Sequence, residues 1–258
     1  MNNPGQTEKP IFSQLTLQYG PLDVLGRTIL IAEQLCNKAG VWLSLATPQE
    51  VLAINKANSK TWLPLLRQFD HNFNPLTSQN SLFIVGRNRR GEAVACQAAR
   101  FYDWTGTNFA AEAESLRLFY ANPASMRLPN EQCVVTSNAA RGTTGRVVFS
   151  GGAWYRPDHR GLGLVEWLPR IARAYARGVW DTRNTVTIMS ELNVNKGVFP
   201  RNGYRNMEWS VEMFNCGLGD LRCSFMWSKD DEMLDDLRKF LASQAVNGGA
   251  ASVAAGNE

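Results

Sequence analysis

The sequence predicts an α/β domain, and three observations carry that class. Gly145 to Gly178 runs from an apolar, β-branched stretch through a glycine turn into an amphipathic segment, and Thr185 to Met189 follows as a short buried strand. Strand, helix, strand around a turn is a crossover unit, whose hand is almost always right. Ser81 to Trp104 reads as a hairpin, with Leu82-Phe83-Ile84-Val85, the turn Arg89-Arg90-Gly91-Glu92, and a second strand from Ala93 to Tyr102. Near the end, Trp209 to Phe214 and Cys223 to Trp227 read as a last strand pair joined by residues 215–222, ahead of an amphipathic helix.

Composition sets the outer bounds. At 258 residues the chain suits one domain with extensions. Its 44% apolar and 10% aromatic residues are enough for a full core. The formal net charge is a mild +4, but eight arginines between Arg141 and Arg183 face only Asp158, Glu166 and Asp181, a local surplus of +5. That surplus reads either as an attraction for an anionic ligand or as a solvated arginine face on a helix. Cys36, Cys96, Cys133, Cys216 and Cys223 form an odd set without a C-x-x-C pair, which argues against a disulfide framework or a zinc knuckle. His71 and His159 are the only histidines, so no metal site is expected. No signal-like start and no long apolar run occur, so the expected setting is cytoplasmic, without membrane contact.

The remaining elements follow in order. Met1 to Pro10 is expected to be loose. Leu15, Leu17 and Tyr19 alternate with polar residues as a short strand would. Leu22 to Lys38 carries Leu22, Leu25, Ile29, Ala32 and Cys36 at helical spacing before Gly40, and Val41 to Leu45 reads as a strand. Thr47-Pro48-Gln49-Glu50 is a helix entry with a threonine cap, proline at the first position and a glutamate three residues on, giving a helix to about Ser59. Trp62 to Leu76 has no clear period. Asn108 to Tyr120 reads as a helix with Phe109, Ala113, Leu116 and Tyr120 on one side, and Val134 and Val135 as a weak strand. From Leu164 a helix is expected to run to Gly178, with Leu164, Trp167, Leu168, Ile171 and Tyr175 on one face. Pro169 within it predicts a kink near Val165 to Trp167 or a later start. A short helix is expected over Lys196 to Arg201, and Ser228 is expected to cap the last helix. Domain limits follow as an extension over 1–40 with one helix packed on the body, a body over 41–246, and a disordered tail over 247–258.

The functional argument starts at Arg160-Gly161-Leu162-Gly163, between strand and helix. A helix that opens after glycines offers free N–H groups backed by the positive end of its dipole, which suits a phosphate. No Gly-Lys-Ser/Thr follows, so this is not a P-loop, and Glu166 stands where a dinucleotide fingerprint needs glycine. The stretch resembles motif A of the Gcn5-related N-acetyltransferases (GNAT), Q/R-x-x-G-x-G/A, with Arg160 and Gly163 in place and Val165 at the last small position. Glu191 to Tyr204 is similar to the family's motif B, with Asn193 as its asparagine and Gly203-Tyr204 as its Gly-Phe. Lys196 stands at its small residue and Phe199 at its tyrosine.

The resemblance covers about Val41 to Trp227 and implies a GNAT-like (acyl-CoA N-acyltransferase) fold, with a mixed central sheet of about six to seven strands flanked by helices. It implies acetyl-CoA or another acyl-CoA as co-substrate, without a metal. The pyrophosphate would lie on Arg160, Gly161, Leu162, Gly163 and Leu164, with Asn193 nearby, and the backbone of Ala153, Trp154 and Tyr155 would meet the pantetheine arm and the carbonyl. The reaction implied is direct attack of a primary amine, from a small molecule or a peptide, on the thioester. Glu191 is the carboxylate offered as base, and Tyr155 is the phenol that could protonate the thiolate. Asp158 reads as a turn former. The acceptor pocket would be built by 62–76 and 215–222. The other reading is a non-catalytic protein of this fold that binds acyl-CoA or another anion, which Val165, Lys196 and Phe199 favour. No nucleic-acid-binding module is found, and a homodimer is compatible with the sequence.

Overall fold

The computed structural model describes residues 9–254. In chain order the elements are α1 (Leu22–Lys38), β1 (Trp42–Leu45), α2 (Pro48–Ala57), β2 (Ser81–Arg87) and β3 (Ala93–Trp104). Then come α3 (Phe109–Glu114), α4 (Pro123–Met126), β4 (Gln132–Val135), α5 (Asn138–Gly142) and β5 (Gly145–Tyr155). The last six are α6 (Leu164–Trp180), β6 (Asn184–Ser190), α7 (Glu191–Asn195), β7 (Asn206–Cys216), β8 (Gly219–Lys229) and α8 (Asp230–Ala254).

The strands form one mixed sheet of eight, in the order β1-β2-β3-β5-β6-β8-β7-β4. Only β5 and β6 are parallel, joined by α6 as the sequence predicts. The sheet exceeds the expected six to seven strands because β4 adds to the edge of β7, from Gln132 opposite Phe214 to Val135 opposite Val211. Val147 and Phe149 of β5 face one core with Phe69, Phe83, Phe109 and Phe225. Val148, between them, faces the other, made with α1, α6 and α8 through Leu25, Ile29, Leu168, Ile171 and Leu237. Each fully buried Phe or Leu of these layers contributes roughly 1.5–3 kcal/mol of burial.

Several expectations are corrected. Residues 15–19 form no strand: Gln18 and Tyr19 donate their N–H groups to the carbonyl of Gly178 (2.7 and 3.0 Å). Leu17 lies so close to Gly178 that a Cβ there would fall 2.6 Å from its side chain. Gly178 is therefore a packing glycine, and α6 continues to Trp180 before Asp181 turns left-handed. The helix starts at Leu164 and runs through Pro169. At that depth the proline forfeits one bond, to the carbonyl of Val165, near an end where several N–H groups lack intrahelical partners anyway. The helix from Asn108 stops at Glu114, because Leu116 takes a positive φ of 63° and the chain folds back, with the Leu118 N–H donating to the Glu112 carbonyl.

After β6 the helical turn is Glu191–Asn195, with a 3-10 turn at Phe199–Arg201, instead of one helix over 196–201. Strands β7 and β8 absorb most of the expected loop and meet at a tight turn over 216–219. Ser228 is in β8, and α8 begins at Asp230 with an acidic first turn. Helix α8 then extends to Ala254 in place of a tail from Asn247, through Gly248 and Gly249, which propensity disfavours. Residues 1–8 and 255–258 of the two expected loose ends lie outside the described residues. Among the described residues no helix is long and apolar enough to cross a membrane.

Candidate active site

The sheet opens at its centre. Strands β5 and β6 pair only from Val147 opposite Asn184 to Phe149 opposite Val186. Beyond that pair β5 follows β3 as far as Tyr155, while β6 follows β8 as far as Ser190. The two arms diverge and leave a fork at the C-terminal ends of parallel strands, where α/β sheets commonly bind ligands.

The β5 arm is bulged. Cys96 pairs with Trp154 and Ala98 with Gly151, so Gln97 alone stands opposite Gly152 and Ala153. Gly152 has φ +60°, and a Cβ there would meet the Ala98 Cβ at 2.9 Å, so the bulge requires glycine. The Gln97 amide donates to the Ser150 hydroxyl and the Gly151 carbonyl, both at 3.1 Å, and fixes the distortion from the neighbouring strand. Phe69 covers the bulge, and Trp62 stacks on Trp154 with centroids 5.0 Å apart and planes 6° from parallel. Of the predicted backbone trio, Ala153 is exposed on the bulge and Trp154 is buried. Tyr155 turns the other way, towards the α1 and α6 layer. Its hydroxyl is buried without a hydrogen-bond partner among the described residues, and burial raises its pKa.

Past Tyr155 the chain enters the glycine turn. Arg156 anchors it, donating to both carboxylate oxygens of Asp158 (2.8 and 2.9 Å) and to Glu92 in the turn between β2 and β3 (3.0 Å). Arg156, with His159 beside it, holds the Asp158 carboxyl well below the usual carboxylate range. Gly161 and Gly163 have φ of +82° and +91°. The N–H groups of Gly161, Leu162, Gly163, Leu164 and Val165 have no acceptor among the described residues, while those of Glu166 and Trp167 close onto the Gly163 carbonyl. This is a nest of free donors at the positive end of a 17-residue helix. The Trp167 ring lies over Gly163, where a Cβ would fall 2.4 Å from it. Leu164 is buried beneath the turn. Arg160 is exposed, and its Nε donates to the Tyr155 carbonyl at 3.1 Å, which holds the side chain beside the free donors.

The arginine surplus has another explanation than either sequence reading. Arg170 grips Asp236 of α8 with two bonds (3.0 and 2.8 Å), and the fully buried Arg173 reaches the same carboxylate at 3.3 Å. Arg177 pairs with Asp230 and Asp181, and Arg183 with the same two. With Arg141 on Glu114 and Arg156 on Asp158, six of the eight are ion-paired within the chain. Arg146 donates to the Trp180 carbonyl. Arg146 and Arg160 are both exposed and outside these ion pairs, and of the two it is Arg160 that lies at the glycine turn.

On the β6 arm, Glu191 and Asn193 are exposed on α7, past the end of the strand. Neither side chain has a hydrogen-bond partner among the described residues. Tyr204 is the residue that sequence reasoning placed in a motif without giving it chemistry. It is buried, and its hydroxyl donates to the Val186 carbonyl at 3.1 Å, with Ser150 beside it. Val186 belongs to the last paired position, so Tyr204 brings a phenol to the apex of the fork. Burial raises its pKa, and Arg173, stacked 5.2 Å over its ring, opposes that rise.

The two irregular segments meet on the opposite face from α6. Residues 62–70 and 216–221, with α2, line a cavity of about 410 Å³. This is the pairing of segments expected for an acceptor pocket.

No protein-family model matches the chain, and no curated protein does. Solved structures resemble it. An acetyltransferase of the GNAT family from Streptococcus pneumoniae is 10% identical over 73% of this chain and 98% of its own, with a TM-score of 0.41. Arabidopsis thaliana NAA60, solved in complex with acetyl-CoA, is 10% identical over 74% and 99%, with a TM-score of 0.46. The spermidine N-acetyltransferase of Vibrio cholerae, solved as a dodecamer, is 10% identical over 75% and 96%, with a TM-score of 0.43.

Proposed function

We propose that this protein is an N-acyltransferase that moves an acetyl or other short acyl group from acyl-CoA to a primary amine. The observation that carries the reading is the continuity of fork, bulge and glycine turn along one stretch, Val147 to Leu164. These three features in this order suit a thioester with a phosphorylated tail. The fork admits an extended arm between the strands. The bulge turns strand backbone groups out of the ladder, where they can donate to a carbonyl oxygen as charge develops on it. The turn presents five free N–H groups and Arg160 to a pyrophosphate.

Each side chain then has a task. Arg160 neutralises phosphate charge. Gln97 holds the bulge. Glu191, exposed at the tip of the β6 arm, takes the proton of the incoming ammonium directly or through water. Phe199 cannot protonate a thiolate, and the phenol that replaces the usual tyrosine is Tyr204 at the apex of the fork. Tyr155, whose hydroxyl is enclosed on the α1 and α6 side, is the second candidate for that proton. Burial keeps both phenols protonated before the reaction, and it also makes them weaker acids, so either one would give up its proton only to a thiolate formed in the same desolvated space.

The test is thermal unfolding with and without coenzyme A and acetyl-CoA, for the wild type and Arg160→Ala. A ligand at 100 times its Kd stabilises by ~2.7 kcal/mol. A shift in the wild type that shrinks in the variant supports the turn as the phosphate site. Release of free coenzyme A with some amine then separates an enzyme from a binding protein that does not turn over. Absence of any shift with either ligand removes the reading.

A further inference from the structure

The cavity opposite α6 carries chemistry that the acyl-donor side does not use. One wall is α2 and the segment behind it, and the other is the hairpin of β7 and β8. Its volume of about 410 Å³ suits a small molecule. Leu52, Trp62, Leu65, Met213 and Leu221 make much of the lining apolar. Into this lining projects Arg67.

Arg67 differs from the paired arginines of α6. Its guanidinium lies 4.2 Å over the Phe73 ring and 5.9 Å from the Tyr120 ring. Its Nη2 sits against Gly217, where a Cβ would fall 2.7 Å away. It is half-buried, and among the described residues its guanidinium makes no ion pair or hydrogen bond. A guanidinium held against aromatic faces keeps its fork of donors in place, and such a fork can take a carboxylate with two bonds. Holding the fork in place beforehand lowers the ordering cost of binding.

The other charges narrow the ligand. Lys56 and Arg67 are balanced by Asp70 and Glu131. Glu131 is committed, accepting from the Tyr120 hydroxyl at 2.7 Å and the Leu128 N–H at 2.9 Å, and Asp70 accepts from the Asn72 N–H at 2.9 Å. A lining with no net charge suits neither a polyphosphate nor a polyamine. It suits a molecule with one carboxylate and one ammonium on an apolar body. Trp62 links this cavity to the chemistry, because its ring also stacks on Trp154 beside the bulge.

We propose that the cavity binds an amine that carries a carboxylate on an apolar body, an apolar amino acid or a close analogue, with the carboxylate on Arg67. That this ligand is the acyl acceptor rests on the acyltransferase reading; that it binds does not. The test is calorimetric titration of the whole protein with L-phenylalanine and L-leucine, each beside the amine that lacks only the carboxylate, 2-phenylethylamine and isopentylamine. Spermidine serves as the polycation control. A charge-assisted pair at Arg67 predicts that at least one amino acid binds about ten- to a hundredfold tighter than its decarboxylated partner and than spermidine.

In Arg67→Gln the preference should fall to about threefold or less, as partial loss of one charged contact. Gly217→Ala should do the same without touching Arg67, because φ at 217 suits an L residue and the new methyl displaces Nη2. Both variants should keep any coenzyme A-induced melting shift of the wild type. Equal affinity for acid and amine, tighter binding of spermidine, no binding by either amino acid, or a preference that survives both variants would overturn the proposal. A carboxylate preference without any coenzyme A shift would leave this site standing and remove the acyltransferase reading.

Discussion

Removing the Asp236 carboxylate should cost far more stability than removing the Arg173 guanidinium it receives. Arg173 has no exposed surface in its side chain, and only one of its donors has a partner, with Nε and Nη1 left unpaired. Desolvation lowers its pKa, and Asp236 is the first of the groups that oppose the fall. At 3.3 Å and an effective dielectric near 20, the attraction is about 5 kcal/mol, and it is offset by the cost of burying the ions. In Asp236→Ala that attraction goes, and Arg170, itself largely buried, loses both of its bonds to the carboxylate and keeps only those to the Glu166 and Arg201 carbonyls. Two uncompensated guanidinium groups then remain, at a cost of about 3–5 kcal/mol. Arg173→Met fills similar volume, removes the buried charge and leaves Arg170 on Asp236. Its expected cost is below about 1.5 kcal/mol, as for a volume-conserving exchange. Urea unfolding followed by tryptophan fluorescence reads both values. For a chain of this size the Asp236→Ala melting point should fall by about 6–20 °C. Equal costs for the two variants would refute the reasoning, because they would mean that the Arg173 charge gives more to the fold than its burial takes away.

Three further outcomes are expected. Gly163→Ala forces an L residue to φ +91° against the Trp167 ring, so it should destabilise by at least ~1–2 kcal/mol and abolish coenzyme A-induced stabilisation, both visible in the same melting experiment. Tyr204→Phe should lower turnover with acetyl-CoA by about 10²-fold while Tyr155→Phe lowers it by less than about tenfold; the reverse order in a coenzyme A release assay would move the acid to Tyr155. All five cysteines are buried, Cys216 least so at 9% exposure, and burial pushes the thiols of Cys133 and Cys223 up to about 12 and about 11. At pH 8 these thiols stay protonated, so a disulfide reagent should label Cys216 at the cavity wall first and the other four only on unfolding. Mass spectrometry of the labelled native protein decides this, and early labelling of any of the four contradicts it.

The parallel unit was legible because its signals are local. Val147 to Phe149, the glycines and the helical stripe from Leu164 each follow from neighbouring residues, and their order allows one crossover. The errors arose where a distant partner rewrote the local pattern. Leu15 and Leu17 alternate because Leu17 fills the space beside Gly178 and the backbone of 18 and 19 caps α6, which is a contact across 160 positions of chain. The helix after Asn108 ends early because Leu116 takes a left-handed φ, which propensity disfavours for a leucine and which tertiary packing of 116–120 imposes. Glycine spacing could mark the turn but could not reveal that Trp167 lies across Gly163.

Charge was the least legible property, and the reason is general. Counting arginines along the chain registers their number but not their partners, and Asp230 and Asp236 lie about fifty or more positions beyond the arginines they neutralise. Three of those arginines, Arg170, Arg173 and Arg177, are the clamp that fastens α6 to α8. Arg160 and Arg67 stay outside such pairs for opposite reasons. Arg160 lies at the surface, where its exposure keeps it available to a phosphate. Arg67 sits in a segment without period, and two aromatic rings rather than a carboxylate hold it in place. No sequence pattern marks Arg67, because Phe73 and Gly217 come together around it only in the folded chain. A half-buried cation on aromatic faces at the wall of a cavity has incurred part of its desolvation cost without gaining a protein anion in return. An anionic group on a ligand is the partner that would offset that cost, which is why the carboxylate assignment rests on Arg67 and not on the larger charge count of α6.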